Sequence, residues 1–141
     1  MTTRPRFAAA INCMDGRTIV PASNWIKHRF GVDYVDMITE PGMIGKFAAG
    51  EPRLVSSVRR MLEISTGAHA SRMVVFVAHY DCVGNPVPRE KQLEQLRQSI
   101  AILKLWEIEG IEKIVGIWLN ERFEVELIEE HETVKLRRGK N

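Results

Sequence analysis

Two short apolar runs, Phe7 to Asn12 and Met73 to Ala78, each end in an abrupt change of chemistry. The first gives way to Cys13-Met14-Asp15-Gly16-Arg17 and the second to His79-Tyr80-Asp81-Cys82. Runs this short with polar flanks favour buried strands over helices. Cys13 and Cys82 are the only two cysteines in the chain. If both runs lie in one parallel sheet, both cysteines and His79 reach its carboxyl edge together. That edge is where open α/β sheets place their ligands.

Periodicity and punctuation supply the other elements. Pro21 suits the opening turn of a short helix through Trp25, Ile26 and Phe30, with Gly31 as its stop. A strand from Asp33 to Ile38 follows and runs into a turn at Thr39-Glu40-Pro41-Gly42. Gly45 and Gly50 keep the next connection loose. Pro52 then opens a helix in which Leu54, Val55, Val58, Met61 and Leu62 recur at helical spacing, and Gly67 closes it. His69, just beyond, reads as an exposed cation at a helix end.

A turn-rich loop from Val83 to Pro88 precedes the longest helix, whose stripe is Leu93, Leu96, Ile100, Leu103 and Trp106, with Gly110 as its stop. Lys113 to Leu119 reads as a further strand, and a tight turn at Asn120-Glu121-Arg122 leads to an antiparallel edge strand from Phe123 to Ile128. The expected fold is α/β: a mainly parallel sheet of about four parallel strands plus an antiparallel edge strand, with helices on both faces. Residues 1–141 form one domain in this reading.

A net charge of +2 is too small to argue for a nucleic-acid partner, and the basic cluster Lys135, Arg137, Arg138 and Lys140 reads as a solvated tail. No apolar run reaches membrane-spanning length and the amino terminus lacks a secretory signal core, so the expected setting is cytoplasmic. There the cysteines serve as thiols, thiolate ligands or core residues and not as a disulfide.

Two thiolates and an imidazole together suit zinc, and three protein ligands leave a fourth tetrahedral position for water or substrate. The plainer alternative is two buried cysteines with a hydrogen-bonded histidine. In an extended segment Cys13, Asp15 and Arg17 face one side. Zinc with two thiolates carries no net charge and acidifies bound water less than an all-imidazole site does, so help has to come from groups around it. Paired with Arg17, Asp15 stays off the metal and accepts a hydrogen bond from the nucleophile; unpaired, it becomes a fourth ligand. An ordinary surface ion pair is the alternative for these two residues.

Cys13-x-Asp15-x-Arg17 followed by His79-x-x-Cys82 resembles the β-class carbonic anhydrase pattern, and the order of strands and helices is similar over nearly the whole chain. The resemblance implies that Cys13, His79 and Cys82 bind Zn²⁺, that Asp15 and Arg17 form a gating dyad, and that the protein is a homodimer or a multiple of dimers. It implies reversible hydration of carbon dioxide to bicarbonate and a proton, by zinc-bound hydroxide that the dyad orients. The chain departs from the family at Gly16, where serine is usual, at Thr39 to Gly42, where Arg-Asn-Ala-Gly is usual, and at Val83, where glycine is usual.

Glu40 brings an acid toward the site in this alignment. Met43, Ile44 and Val83 are candidate pocket walls, with plain core packing as the alternative. His28 and His131 read as solvated. These departures leave two other functions in view: a hydrolase acting on carbon disulfide or carbonyl sulfide, and a zinc-binding regulatory protein without hydration activity. A thiol redox role is the weakest, because no Cys-x-x-Cys pair is present.

Overall fold

The structure, a computed structural model, describes residues 4–133. Its centre is a five-stranded sheet built from β1 (Phe7–Asn12), β2 (Tyr34–Thr39), β3 (Met73–His79), β4 (Lys113–Leu119) and β5 (Val125–Glu132), in the order β2-β1-β3-β4-β5. The first four strands are parallel and β5 runs antiparallel along β4. The connection from β1 goes outward to β2, and the next returns across β1 to β3. The crevice between β1 and β3 is therefore the topological switch point of the sheet, and Cys13 and His79 stand at its two lips.

The helices are α1 (Gly16–Phe30), α2 (Met43–Ala48), α3 (Pro52–Ala68) and α4 (Arg89–Trp106). Ala8, Ala9 and Ala10 are wholly buried, and period-two alternation divides them between the two faces. Ala8 and Ala10 join Ala22 and Ile26 of α1, together with Val75, Val77, Val115 and Ile117. Ala9 and Ile11 join the larger core made by α2, α3 and α4, where Phe47 packs on Phe76 and Trp106 at centroid distances of 5.3 and 5.6 Å. Small side chains on β1 let α1 approach the sheet closely beside the switch point.

Four features differ from the sequence expectation. Helix α1 starts at Gly16 and not at Pro21, which lies inside it. The Asp15 carboxylate accepts the Arg17 amide at 2.9 Å, and the Asp15 carbonyl accepts the Thr18 amide at 3.0 Å. This cap opens the helix before the proline is reached. The loose connection after β2 contains α2, whose Met43, Ile44 and Phe47 are buried. The edge strand begins at Val125 and continues to Glu132, because Lys113 of β4 pairs with Glu132 of β5 in the ladder. Helix α4 ends at Trp106, with Glu107 in the left-handed region at φ +50°, ahead of the expected Gly110. The tail cluster from Lys135 to Lys140 lies outside the described residues. Among the described residues no helix is long and apolar enough to cross a membrane.

Candidate metal centre

Cys13 directly follows β1, His79 ends β3, and Cys82 follows on the loop after β3. All three are buried, and their donor atoms lie within 4.8 Å of one another, with the two sulfurs 3.8 Å apart. The His79 Nδ1–H donates to the Tyr80 carbonyl at 2.8 Å, which leaves Nε2 as a bare lone pair. That Nε2 is buried without a hydrogen-bond partner. A buried imidazole nitrogen left unpaired beside two sulfurs is what a metal ligand looks like before the ion is counted. The donor set, one borderline and two soft, fits a divalent metal of the zinc type.

Crowded together, the three donors shift one another's proton affinity. The Cys82 thiol beside it holds Cys13 well below the ordinary thiol range, and Cys13 in turn drives Cys82 above it. Burial opposes a charge on His79, yet the Cys13 sulfur and the Tyr80 carbonyl outweigh it and lift the imidazole above its ordinary value.

Groups farther out fix these donors. From α4, the Gln92 Nε2 donates to the His79 carbonyl at 2.8 Å, and Gln92 Oε1 accepts the His79 amide at 3.2 Å. Gln92 is itself buried, so the end of β3 is clamped through its backbone. The loops after β2 and β3 meet at Gly42 and Gly84. A Cβ on Gly84 would lie 2.6 Å from the Gly42 nitrogen, and one on Gly42 would lie 2.3 Å from the Gly84 carbonyl oxygen. The Cys82 loop can therefore seat against the β2 loop only with glycine at both positions.

Asp15 and Arg17 come together through the helix cap and not through strand alternation, since Arg17 already lies in the first turn of α1. Arg17 Nε and Nη2 donate to the Asp15 carboxylate at 3.1 and 2.7 Å, which holds Asp15 down to about 2. The same guanidinium donates to the Asp81 carbonyl at 3.1 Å, reaches the Asp81 carboxylate at 3.4 Å, and lies 4.7 Å from the centroid of the Phe123 ring. Asp81 and Phe123 both hold left-handed backbone, at φ +59° and +57°, which is uncommon without glycine. Asn120 builds the turn that presents Phe123, its Oδ1 accepting the amides of Arg122 and Glu124 at 2.9 and 3.1 Å. Arg17 is thus held from three elements, and the Asp15 carboxylate faces it instead of joining the three donors.

The walls read from sequence divide. Met43 and Ile44 are buried and line a void of about 10 Å³ beside Cys13, roughly the space of one water. Val83 is 87% exposed and is no wall of that space. Glu40 does not reach the donors as an uncompensated acid, because Lys46 Nζ meets it at 3.1 Å. His131 is taken up by Glu129 at 2.7 Å on β5, and His69 by Asp36 at 2.7 Å beyond α3. Asp81, Gln92 and Phe123 carry no role in the sequence reading. Asp81 stands inside the quoted motif, but only the fold turns it toward Arg17.

A protein-family profile described as "Putative carbonic anhydrase" matches residues 3–129. Solved structures with the same fold include a carbonic anhydrase from Glaciozyma antarctica, at 20% identity and TM-score 0.55 over 91% of this chain and 85% of that one. Another is a carbonic anhydrase from Streptococcus mutans, at 20% identity and TM-score 0.58 over 89% and 84%. A third is β-carbonic anhydrase isoform I from Trichomonas vaginalis, at 16% identity and TM-score 0.56 over 91% and 85%. No curated protein sequence matches the chain. The profile spans both cysteines, His79 and four of the five strands in full, and on that ground the chain belongs to the carbonic anhydrase family that the profile describes.

Proposed function

We propose that the protein is a zinc enzyme that hydrates carbon dioxide reversibly to bicarbonate and a proton, with Cys13, His79 and Cys82 as ligands and Asp15 and Arg17 as the orienting dyad. One observation carries this reading. The unpartnered Nε2 of His79 is buried beside two free sulfurs, while the nearest carboxylate is turned away and held by arginine. Bound zinc supplies a Lewis acid that lets water ionise near neutral pH.

The chain's own residues do the rest. The Tyr80 carbonyl fixes the His79 tautomer, and Gln92 fixes its backbone. Arg17 keeps Asp15 ionised and off the ligand position, so Asp15 offers a hydrogen-bond acceptor that orients the attacking water. Carbon dioxide is uncharged and needs little more than small apolar surroundings, which Met43, Ile44 and Ala78 supply near Cys13. The released proton passes to buffer.

A cytoplasmic setting is part of the reading, since it keeps two thiols this close reduced. So is a homodimer of single-domain chains: Met14 and Val83, the sequence neighbours of the two ligand sulfurs, are 59% and 87% exposed, an apolar rim suited to a second copy.

Metal analysis with stopped-flow carbon dioxide hydration across pH tests the proposal. The expected result is one zinc per chain and turnover that rises with pH. His79→Ala and Cys82→Ala should lose the metal. Asp15→Ala should keep it and lose turnover by about a hundredfold. Full zinc occupancy in both ligand variants would sink the ligand assignment. Zinc in place without hydration at any pH would move the substrate to another small electrophile.

A further inference from the structure

At the opposite end of the sheet from the cysteines, where β1 and β3 begin, the surface opens into a cleft of about 250 Å³. Six residues of β1 separate it from Cys13, about 20 Å along an extended chain. Its floor is apolar, made by Phe7, Val32 and Met73, and the Phe7 ring is stacked on His69 at a centroid distance of 4.0 Å and 19°. Its rim carries Arg4, Arg6 and Arg72, and among the described residues no acidic side chain lines it.

The charge at the rim is mostly unspent. Arg72 is paired with Glu112 at 2.7 Å, yet its side chain is 71% exposed. Asp33, the nearest acid in sequence to the floor residue Val32, accepts the Arg6 backbone amide at 2.8 Å and not its guanidinium. Asp36 is taken up by His69 and Ser65, each at 2.7 Å. Among the described residues the guanidiniums of Arg4 and Arg6 have no ion-pair partner. They stand two positions apart in the non-helical segment entering β1, a spacing that sets extended side chains on one side. Ala70, also lining the cleft, holds φ +54°, a left-handed backbone that side chains rarely adopt and that tends to gather at ligand sites.

We propose that this cleft binds a small organic anion: a phosphate or carboxylate head taken by Arg4 and Arg6, on a compact apolar body that lies against Phe7, Val32 and Met73. Guanidinium forks match both oxyanions with paired hydrogen bonds. The apolar floor selects an organic anion over an inorganic one, because only the former covers it. The site is independent of the metal centre and of the reaction proposed there.

Calorimetric titration of the intact protein at physiological ionic strength with phenyl phosphate, benzoate and inorganic phosphate tests the assignment. Saturable binding of phenyl phosphate or benzoate is expected, at least about tenfold tighter than inorganic phosphate. The tighter of the two organic probes names the head group. Arg4→Ala with Arg6→Ala should weaken binding at least about tenfold without lowering the melting temperature, since both side chains are exposed. Amide shifts at Phe7, Ala70 and Met73 should report the binding. No saturable binding by either organic probe would overturn the proposal. So would affinity unchanged in the double variant, organic probes no tighter than inorganic phosphate, or shifts confined to Met14 and Val83.

Discussion

Gln92 shows how much of the centre depends on a residue that touches no ligand atom. It satisfies both backbone groups of His79, in a site where water does not reach them. Gln92→Leu would leave a buried amide and a buried carbonyl unpaired, at about 1–3 kcal/mol each. Urea denaturation should show a loss of about 2–6 kcal/mol. Asp81→Asn keeps the shape of the grip on Arg17 and removes its charge. We expect unchanged metal content and a fall in turnover of about tenfold, in the range usual for a group that orients an inner one. The cluster of Cys13, His79 and Cys82 was legible in the sequence because all three stand at, or within three residues of, the carboxyl ends of β1 and β3. The grip on Arg17 was not, because it depends on left-handed backbone at Asp81 and Phe123 and joins residues 64 positions apart.

At the scale of elements, apolar runs announced the four parallel strands, since strands of this kind are short, continuous and bounded by sharp changes of polarity, and the tight turn after β4 announced the antiparallel β5. Helix starts were harder to read. Pro21 is a strong start signal, and Asp15, two residues before Arg17, is a stronger one only once its carboxylate meets the Arg17 amide. Helix α2 was hidden by its six-residue length, too short to show a period. The β5 edge carries a prediction of its own. Glu130 is lowered by Lys113 and Arg29, and Glu129 by His131 and Arg97. Carboxyls whose folded pKa lies below the unfolded one stabilise above the ordinary value of 4.5 and lose that contribution as pH falls through the folded pKa. Urea midpoints measured between pH 7 and pH 3 should fall on the acid side, by about 1 kcal/mol for the network, because these pairs are partly solvated.

Across the whole molecule, the two ends of the sheet differ in chemistry. The carboxyl edge gathers sulfur and imidazole at the switch point, and the amino edge gathers guanidinium around an apolar floor. The Gly42 and Gly84 contact ties the outer strand's loop to the Cys82 loop, so the centre depends on strands that are not neighbours in the sheet. Gly84→Ala should push these backbones apart; metal affinity, measured by competition with a chelator, should drop at least about tenfold while the far-ultraviolet dichroism of the sheet and helices persists.

The two sulfurs, 3.8 Å apart in space, stand 69 positions apart along the chain. A bond that passes through both closes a loop containing α1, β2, α2, α3 and β3, about half of the polypeptide. Closing a loop of that length removes about 4 kcal/mol of freedom from the denatured chain. A metal held by both sulfurs would thereby act as a cross-link: it would tie off the segment that carries the outer strand, and the unfolded polypeptide would have far fewer shapes to explore while the link held.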